Sequence, residues 1–467
     1  MTCGADGLIT LQGTRPRNQR DGIQRREVKK HLLLQPSRVL PERAFSRNPT
    51  LHAAEVMHGD EAIRRDVLLV LRDPSPQRVL QFQGLSLRQW RRLATWLDLS
   101  GLALYFFNKL KEARWQDLLP AIVSTRLEQN LADNTARTRS LIDESIAIQR
   151  AFQDERINYA ALKGISFWPR SVPKPELRSQ FDLDFLVVQE SVGHARDLLE
   201  RRGYRLYATC GRSMEFKRNE RPGISARDMY KDVQSWKVEL HVEPVDAGRR
   251  SQLARLEWRQ ISGFDMPVLS PVDLFIGQGL HVYRHVCGEF LRASLLEEVR
   301  RHILYYANDG AFWSEVRASA EHDESIARKL GLVERLIAHL TGEFAPDALT
   351  SWTSSRLSDS ARLWIEVHGS KAVLGDFPGS KRARLLMKEM GGAESNASRK
   401  HRHGTLLPLR LPPQVIRAFP NENFTTRLAR HWMQLQLIIH RAHFHLVAGI
   451  DFFWESRRWQ RLKGRAS

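Results

Sequence analysis

Hydrophobic and polar residues follow two periods along this chain, and the change of period divides it into parts. From Leu51 to Glu155, and again after Leu253, apolar residues recur every three or four positions, which predicts amphipathic helices. Ser86 followed by Gln89 has the spacing of a capping box and predicts a helix start. Between the helical stretches, apolar and polar residues alternate, which predicts strands. We therefore expect an α+β fold with a small mixed sheet flanked by helical regions.

The same patterns predict five segments. Residues 1–50 combine Gly, Pro and Arg with no apolar period, and we expect them to be a disordered basic tail. The remaining expected segments are a helical region at 51–155, a sheet-bearing core at 156–250, a helical region at 251–390, and a basic linker with a C-terminal helix at 391–467.

One predicted strand carries two carboxylates. In the run 181–188, Asp182 and Asp184 share one face, roughly 6–7 Å apart along the strand, whereas Leu183 and Phe185 lie on the opposite, buried face. Two like charges this close repel each other, and a divalent cation with its preference for oxygen ligands would relieve the repulsion. The alternative is an edge strand with two solvated aspartates.

A later strand can supply a third carboxylate. In the run 236–243, Val238 and Leu240 share one face, and Glu239, His241 and Glu243 share the other. An acid beside the aspartate pair would complete a two-metal site for phosphoryl transfer. Glu239 and Glu243 are both candidates on spacing alone.

Several short motifs, taken in order, resemble the uncharacterised nucleotidyltransferase family of the DNA polymerase β-like superfamily. They are Leu162-Lys163-Gly164, Leu177-Arg178, the Asp182-Leu183-Asp184 strand, a helix ending in Gly203-Tyr204, and Val238-Glu239-Leu240-His241. The resemblance covers about residues 156–245. Most of the superfamily has Gly-Ser or Gly-Gly at the first motif, whereas this chain has Lys-Gly, as this particular family does.

The resemblance implies transfer of an NMP from an NTP to an acceptor hydroxyl or similar group. It assigns Asp182, Asp184 and Glu239 as catalytic residues that hold Mg2+ or Mn2+. Lys163, Gly164 and Arg178 would contact the nucleotide. The acceptor stays open between a small molecule, an RNA and a protein.

Three other functions compete with this one. A glycosyltransferase could use Asp-x-Asp with a nucleotide sugar, although the helical stretch upstream disfavours the Rossmann-like half that such enzymes need. A non-catalytic nucleotide-binding or scaffold protein could keep the fold, although all three acidic positions are filled. A nucleic-acid-binding protein could act through its basic ends.

The net charge of +19 lies mainly at the two ends of the chain. Residues 1–50 hold ten Lys and Arg against four acids, and residues 397–467 hold thirteen against three, which leaves +3 for the middle. This distribution predicts at most weak polyanion binding through the termini. Three widely spaced cysteines and the absence of a long apolar run predict a cytoplasmic protein without a transmembrane segment.

Three further patterns lie on the outer helices. His281 and His285 have metal-binding spacing but lack an acidic partner, so we expect packed or solvent-facing side chains. The charged run at residues 297–301 predicts a solvated helix face. The C-terminal helix carries an apolar stripe that we expect to pack on the protein itself or on a partner, with a membrane surface less favoured. The stripe consists of Trp432, Leu435, Ile439, Ala442, Leu446 and Phe453.

Overall fold

The fold is an α+β arrangement in which one mixed sheet is flanked by helices, as the sequence predicts. The computed structural model describes residues 49–218, 229–231, 236–243, 251–390 and 424–466. The expected tail at 1–50, apart from its last two residues, and the linker at the start of the expected segment 391–467 lie outside the described residues.

Helices precede, interrupt and follow the sheet. The capping box at Ser86 and Gln89 is present, and Gly101 ends the same helix in a left-handed conformation. The helices are α1 Pro49–Arg72, α2 Pro76–Leu80, α3 Leu87–Ser100, α4 Ala103–Glu112, α5 Ala121–Asp154, α6 Val192–Arg201, α7 Pro271–Val286, α8 Ala293–Tyr305, α9 Gly310–Glu321, α10 Glu324–Thr341, α11 Asp347–Thr353, α12 Asp359–Trp364, α13 Ser370–Leu374, α14 Ala383–Met390 and α15 Phe424–Ala466.

The sheet contains seven strands in the order β3-β4-β5-β2-β1-β7-β6. Strand β2 pairs antiparallel with β1 and parallel with β5, so the two predicted acidic strands lie side by side at its centre. The strands are β1 Tyr159–Leu162, β2 Asp182–Val187, β3 Arg205–Cys210, β4 Ser213–Lys217, β5 Lys237–Val242, β6 Leu256–Ile261 and β7 Phe264–Leu269.

The expectation that helices return from Leu253 is wrong for residues 256–269, which form the hairpin β6–β7. Ser262 and Gly263 both have positive φ, 47° and 74°, which is the backbone of a tight hairpin turn. Strand β7 pairs parallel with β1 and therefore extends the central sheet. Immediately after β7, Ser270 caps α7.

The two faces of the sheet have different environments. Leu183, Phe185 and Val187 of β2 are buried against residues of α5 and α6. On the opposite face, Leu186 packs in a smaller cluster with Phe167 and Leu274. Helices that precede the first strand in the sequence, α1–α5, and helices that follow the last strand, α7–α14, share one further hydrophobic core. The acidic residues of β2 therefore lie on a face that is only partly covered.

Candidate active site

Strand pairing brings the predicted acids together. Strands β2 and β5 run parallel with Asp182 opposite Lys237 and Asp184 opposite Glu239. Residues paired in register project to the same face of a sheet. The side chains of Asp182, Asp184, Lys237, Glu239 and His241 therefore share one face, opposite the buried Leu183 and Phe185.

Asp184 is the most buried acid of this group, with 3% of its surface exposed. Its Oδ1 accepts a hydrogen bond from Lys163 Nζ at 2.7 Å and lies 2.9 Å from His241 Nε2. Burial alone would raise the pKa of Asp184, but the charge of Lys163 and the bond to His241 hold the pKa well below its usual range. Its Oδ2 is buried and has no hydrogen-bond partner among the described residues. Asp184 is therefore an ionised carboxylate with one unused oxygen.

The other two acids share Lys237. Its Nζ lies 2.5 Å from Glu239 Oε1 and 3.5 Å from Asp182 Oδ2. Burial opposes ionisation of Glu239, yet the hydrogen bond from His241 and the charge of Lys237 lower its pKa. Burial and the charge of Asp184 raise the pKa of Asp182. The three carboxylates thus meet two lysines and a histidine, which compensate their charge.

Asp184, Glu239 and His241 could hold a metal ion, because their ligand atoms all lie within 4.8 Å of one another. In the part of the chain that the structure describes, this is the one cluster of three such side chains at that spacing. Asp182 lies two residues before Asp184 on the same face of β2 and contacts Lys237 instead. The sequence analysis placed His241 on the same face as Glu239 but assigned it no role. The alternation of Lys237, Glu239 and His241 along β5 was the pattern that could have identified it.

The Lys163-Gly164 turn follows β1 directly and approaches Asp184. Leu162 is paired with Asp184, and the next two residues have φ of 48° and 45°. A side chain at Gly164 would place its Cβ 2.0 Å from Nε2 of Gln180, which donates to the carbonyl of Asp182. Burial would lower the pKa of Lys163, but the charges of Asp184 and Asp182 outweigh it and raise the pKa. A strained turn therefore fixes a protonated lysine beside the acids.

The loop between this turn and β2 is anchored from both sides. From α5, Asn134 Nδ2 donates to the carbonyl of Glu176 at 2.7 Å, and Arg137 Nη2 donates to that of Gln180 at 2.9 Å. From β6, the buried Arg259 donates to the carbonyl of Trp168 at 2.6 Å. Sequence reasoning missed these anchors. The hairpin that was expected to be helical supplies one of them.

Arg178 lies at the end of this loop and is tied to α8. Its Nε donates to Glu298 Oε1 at 3.1 Å, and the Tyr105 hydroxyl donates to the same oxygen at 3.1 Å. Burial would lower the pKa of Arg178, but the charge of Glu298 raises it. The expectation of a solvated face at residues 297–301 is therefore wrong for Glu297, Glu298 and Arg300, which are all buried. The partners of Glu298 come from other parts of the chain and cover it, whereas Arg300 pairs with Glu297 on the same helix.

The two histidines of α7 pack against each other. The rings of His281 and His285 are 4.6 Å apart and half-buried. Burial and the neighbouring His285 lower the pKa of His281 to about 2, and burial with Arg292 lowers that of His285 to about 4. The charge of Lys163 contributes to both pKa shifts, and both rings are neutral. They do not belong to the Asp184 cluster.

A comparison with known protein families also indicates a nucleotidyltransferase. A family model described as an uncharacterised nucleotidyltransferase matches residues 86–342, more than half of the chain and all of the site. Among solved structures, an antigenic nucleotidyltransferase-like protein from Paracoccidioides brasiliensis is similar at 15% identity over 42% of this chain and 92% of that chain. Its TM-score of 0.26 is too low for the superposition to carry an argument. No curated protein matches this chain.

Proposed function

Because the chain belongs to the uncharacterised nucleotidyltransferase family, we propose that it is a metal-dependent nucleotidyltransferase. It moves an NMP from an NTP to an acceptor hydroxyl or similar group. The observation that carries this proposal is the register of β2 against β5, which sets Asp184 directly beside Glu239, with Asp182 on the same face. The acceptor is a small molecule, an RNA or a protein.

The acidic residues fit a hard divalent cation. The buried Oδ2 of Asp184 lacks a hydrogen-bond partner among the described residues, and carboxylate oxygens are the ligands that Mg2+ and Mn2+ prefer. We assign the metal to Asp182, Asp184 and Glu239, with the His241 ring within reach of the same group. When bound, such a cation neutralises the triphosphate and lowers the pKa of the attacking group.

The residues of the chain supply binding and charge. Gly164 lets the backbone approach the phosphates closely, since it has no Cβ. Lys163 holds an ammonium group beside the acids and can stabilise charge on the leaving pyrophosphate. Arg178, which Glu298 holds in place, is the second cation that we assign to the nucleotide. In the reaction, the acceptor oxygen bonds to the α-phosphorus while the α–β phosphoanhydride bond breaks. Pyrophosphate leaves, and the acceptor proton passes to water.

The test is transfer of label from each of four α-labelled NTPs with Mg2+ or Mn2+ and cell extract. We expect wild-type protein to label a macromolecule or a small product, and the Asp182→Ala/Asp184→Ala variant to label nothing. Glu215→Gln is the matched control. Glu215 faces Glu239 across β4 and β5 but pairs with Lys217 at 2.9 Å, outside the metal group.

The label identifies both the nucleotide and the acceptor class. Activity that survives in the double aspartate variant would contradict the assignment of the site. Absence of labelling, together with NTP binding that does not depend on metal, would favour a non-catalytic nucleotide-binding protein.

A further inference from the structure

Helix α15 has two apolar faces, and the structure covers one of them. Residues at one face are buried, and two of them, Phe452 and Trp459, belong to the shared helical core, whereas the predicted stripe lies on the other face. The buried residues are Leu437, Phe444, Ala448, Phe452 and Trp459. Since each residue turns the helix by about 100°, Leu446 lies about 200° from Phe444 and so on the opposite side. We expected the stripe to pack on the protein itself or on a partner, and the first of these alternatives is wrong for the described residues.

Three ion pairs fix this orientation. Lys463 Nζ lies 2.8 Å from Glu389 of α14, Arg382 pairs with Asp451 at 3.0 Å, and Arg441 pairs with Glu289 at 3.1 Å. Trp459, at 1% exposure, is buried between them. The outward direction of the other face therefore follows from the docking of the helix.

The outer face concentrates the exposed apolar side chains of the molecule. Ten of the seventeen large hydrophobic residues that are exposed in the described part belong to α15. They are Phe424, Leu428, Trp432, Leu435, Ile439, Leu446, Val447, Ile450, Phe453 and Trp454. From the first to the last they extend about 45 Å along the helix axis at 1.5 Å per residue. A continuous apolar face of this length marks an interaction surface.

The charges beside this face are of one sign. The exposed charged residues of α15 are all arginines, at positions 427, 457, 458, 461 and 465. The two acids of the helix, Asp451 and Glu455, are half-buried, and each pairs with an arginine. Arg457 lies 4.2 Å from the ring centre of Phe453, at the end of the stripe. This face therefore complements a negatively charged and apolar partner.

We propose that the outer face of α15 binds an anionic lipid surface, with the helix lying parallel to the membrane. Aromatic and aliphatic side chains enter the interface while arginines contact the lipid phosphates, as in other interfacial helices. No helix among the described residues is long and apolar enough to cross a membrane. A second copy of this chain is a poorer partner, because pairing of these faces would bring the arginines of both helices into one interface without acidic partners. This inference does not depend on the proposed transfer reaction.

Vesicle sedimentation of the full chain tests this proposal. We expect at least ten-fold stronger binding to vesicles of 30% phosphatidylglycerol in phosphatidylcholine than to phosphatidylcholine alone. Leu435→Glu/Ile439→Glu should reduce this binding at least ten-fold, and Arg457→Gln/Arg461→Gln should reduce it several-fold. These side chains are exposed, so both variants should fold, and circular dichroism checks this. Ile122→Glu, at a 68% exposed site on α5, is the matched control and should bind like wild type.

Two outcomes would overturn the proposal. Equal binding of the wild type and the Leu435→Glu/Ile439→Glu variant would assign lipid binding to the basic tail at residues 1–48 instead. No vesicle binding, with a dimer in analytical ultracentrifugation that the same variant dissociates, would assign the face to a second copy. No vesicle binding by a monomer would likewise refute it, and would leave residues 391–423 of this chain as the occupant to examine.

Discussion

Replacing Asp184 by Asn tests both the stability and the metal binding of the site. The carboxylate is nearly buried and bonds to Lys163 at 2.7 Å and His241 at 2.9 Å. Hydrogen bonds to charged groups contribute about 1.5–3 kcal/mol each, and an Asn oxygen can still accept one of them. The two partner side chains are each 25% exposed, which puts the expected loss at about 2 kcal/mol.

The assay is urea unfolding with EDTA and with Mg2+. In EDTA we expect the Asn variant to unfold with about 2 kcal/mol less free energy than wild type. Mg2+ at a hundred times its Kd should add about 2.7 kcal/mol to the wild type by mass action. The Asn variant should gain far less, because it has lost the ionised ligand at the centre of the group.

Glu215→Gln makes the same carboxylate-to-amide change next to the site. Its side chain pairs at 2.9 Å with Lys217, and both side chains are partly exposed, so we expect a change below about 0.5 kcal/mol and a Mg2+ gain like that of wild type. An Asp184→Asn variant that gains as much stability from Mg2+ as wild type does would contradict the assignment of Asp184 as a metal ligand. A variant that is as stable as wild type in EDTA would contradict the energy assigned to its two hydrogen bonds.

Three further changes probe the backbone turn, an isolated acid and the buried ion pair. Gly164→Ala should lower the free energy of unfolding by about 1–2 kcal/mol and weaken NTP binding, because Gly164 has a φ of +45°. The control Gly193→Ala, in open space on α6, should not destabilise the protein. Equal thermal midpoints for the two variants would contradict this. Burial raises the pKa of Glu334 from 4.5 to about 7, so the folded state binds the proton more tightly and the free energy of unfolding falls as pH rises from about 4.5 to 7. Glu334→Gln should remove about 3 kcal/mol of that fall. Urea midpoints that run parallel for variant and wild type from pH 4.5 to 8 would refute this. Glu298→Gln should lower the free energy of unfolding by about 3–5 kcal/mol, because it leaves Arg178 without its buried carboxylate. The exposed Glu315→Gln should change it hardly at all. Similar losses for both variants in urea unfolding would show that the ion pair matters little.

Local alternation was sufficient to locate the acids and their faces. The strand 181–188 could only bury Leu183 and Phe185 on one side, which forced Asp182 and Asp184 to the other, and the structure agrees. Periodicity did not predict the pairing of β2 with β5, because this pairing brings together residues about 55 positions apart. The resemblance to the family predicted it instead.

The misses share a physical cause, namely partners that are distant in sequence. Glu298 is paired with Arg178, 120 positions away, and a charged run carries no local sign of such a partner. The hairpin β6–β7 contains Pro267 and the polar Arg259, both poor signals for a strand, although the Ser262-Gly263 turn was a usable one. The sequence also did not predict which face of α15 points outward, because both faces of this helix are apolar.

The anchored loop before β2 has a consequence for how fast this site can work. Residues of α5, α8 and β6 hold it through Asn134, Glu298 and Arg259, and the turn at Lys163 is already in its strained conformation. A site that is ordered in advance loses little conformational entropy when a ligand arrives. The encounter with the nucleotide should therefore proceed in a single kinetic phase, with no slow rearrangement of this loop before chemistry.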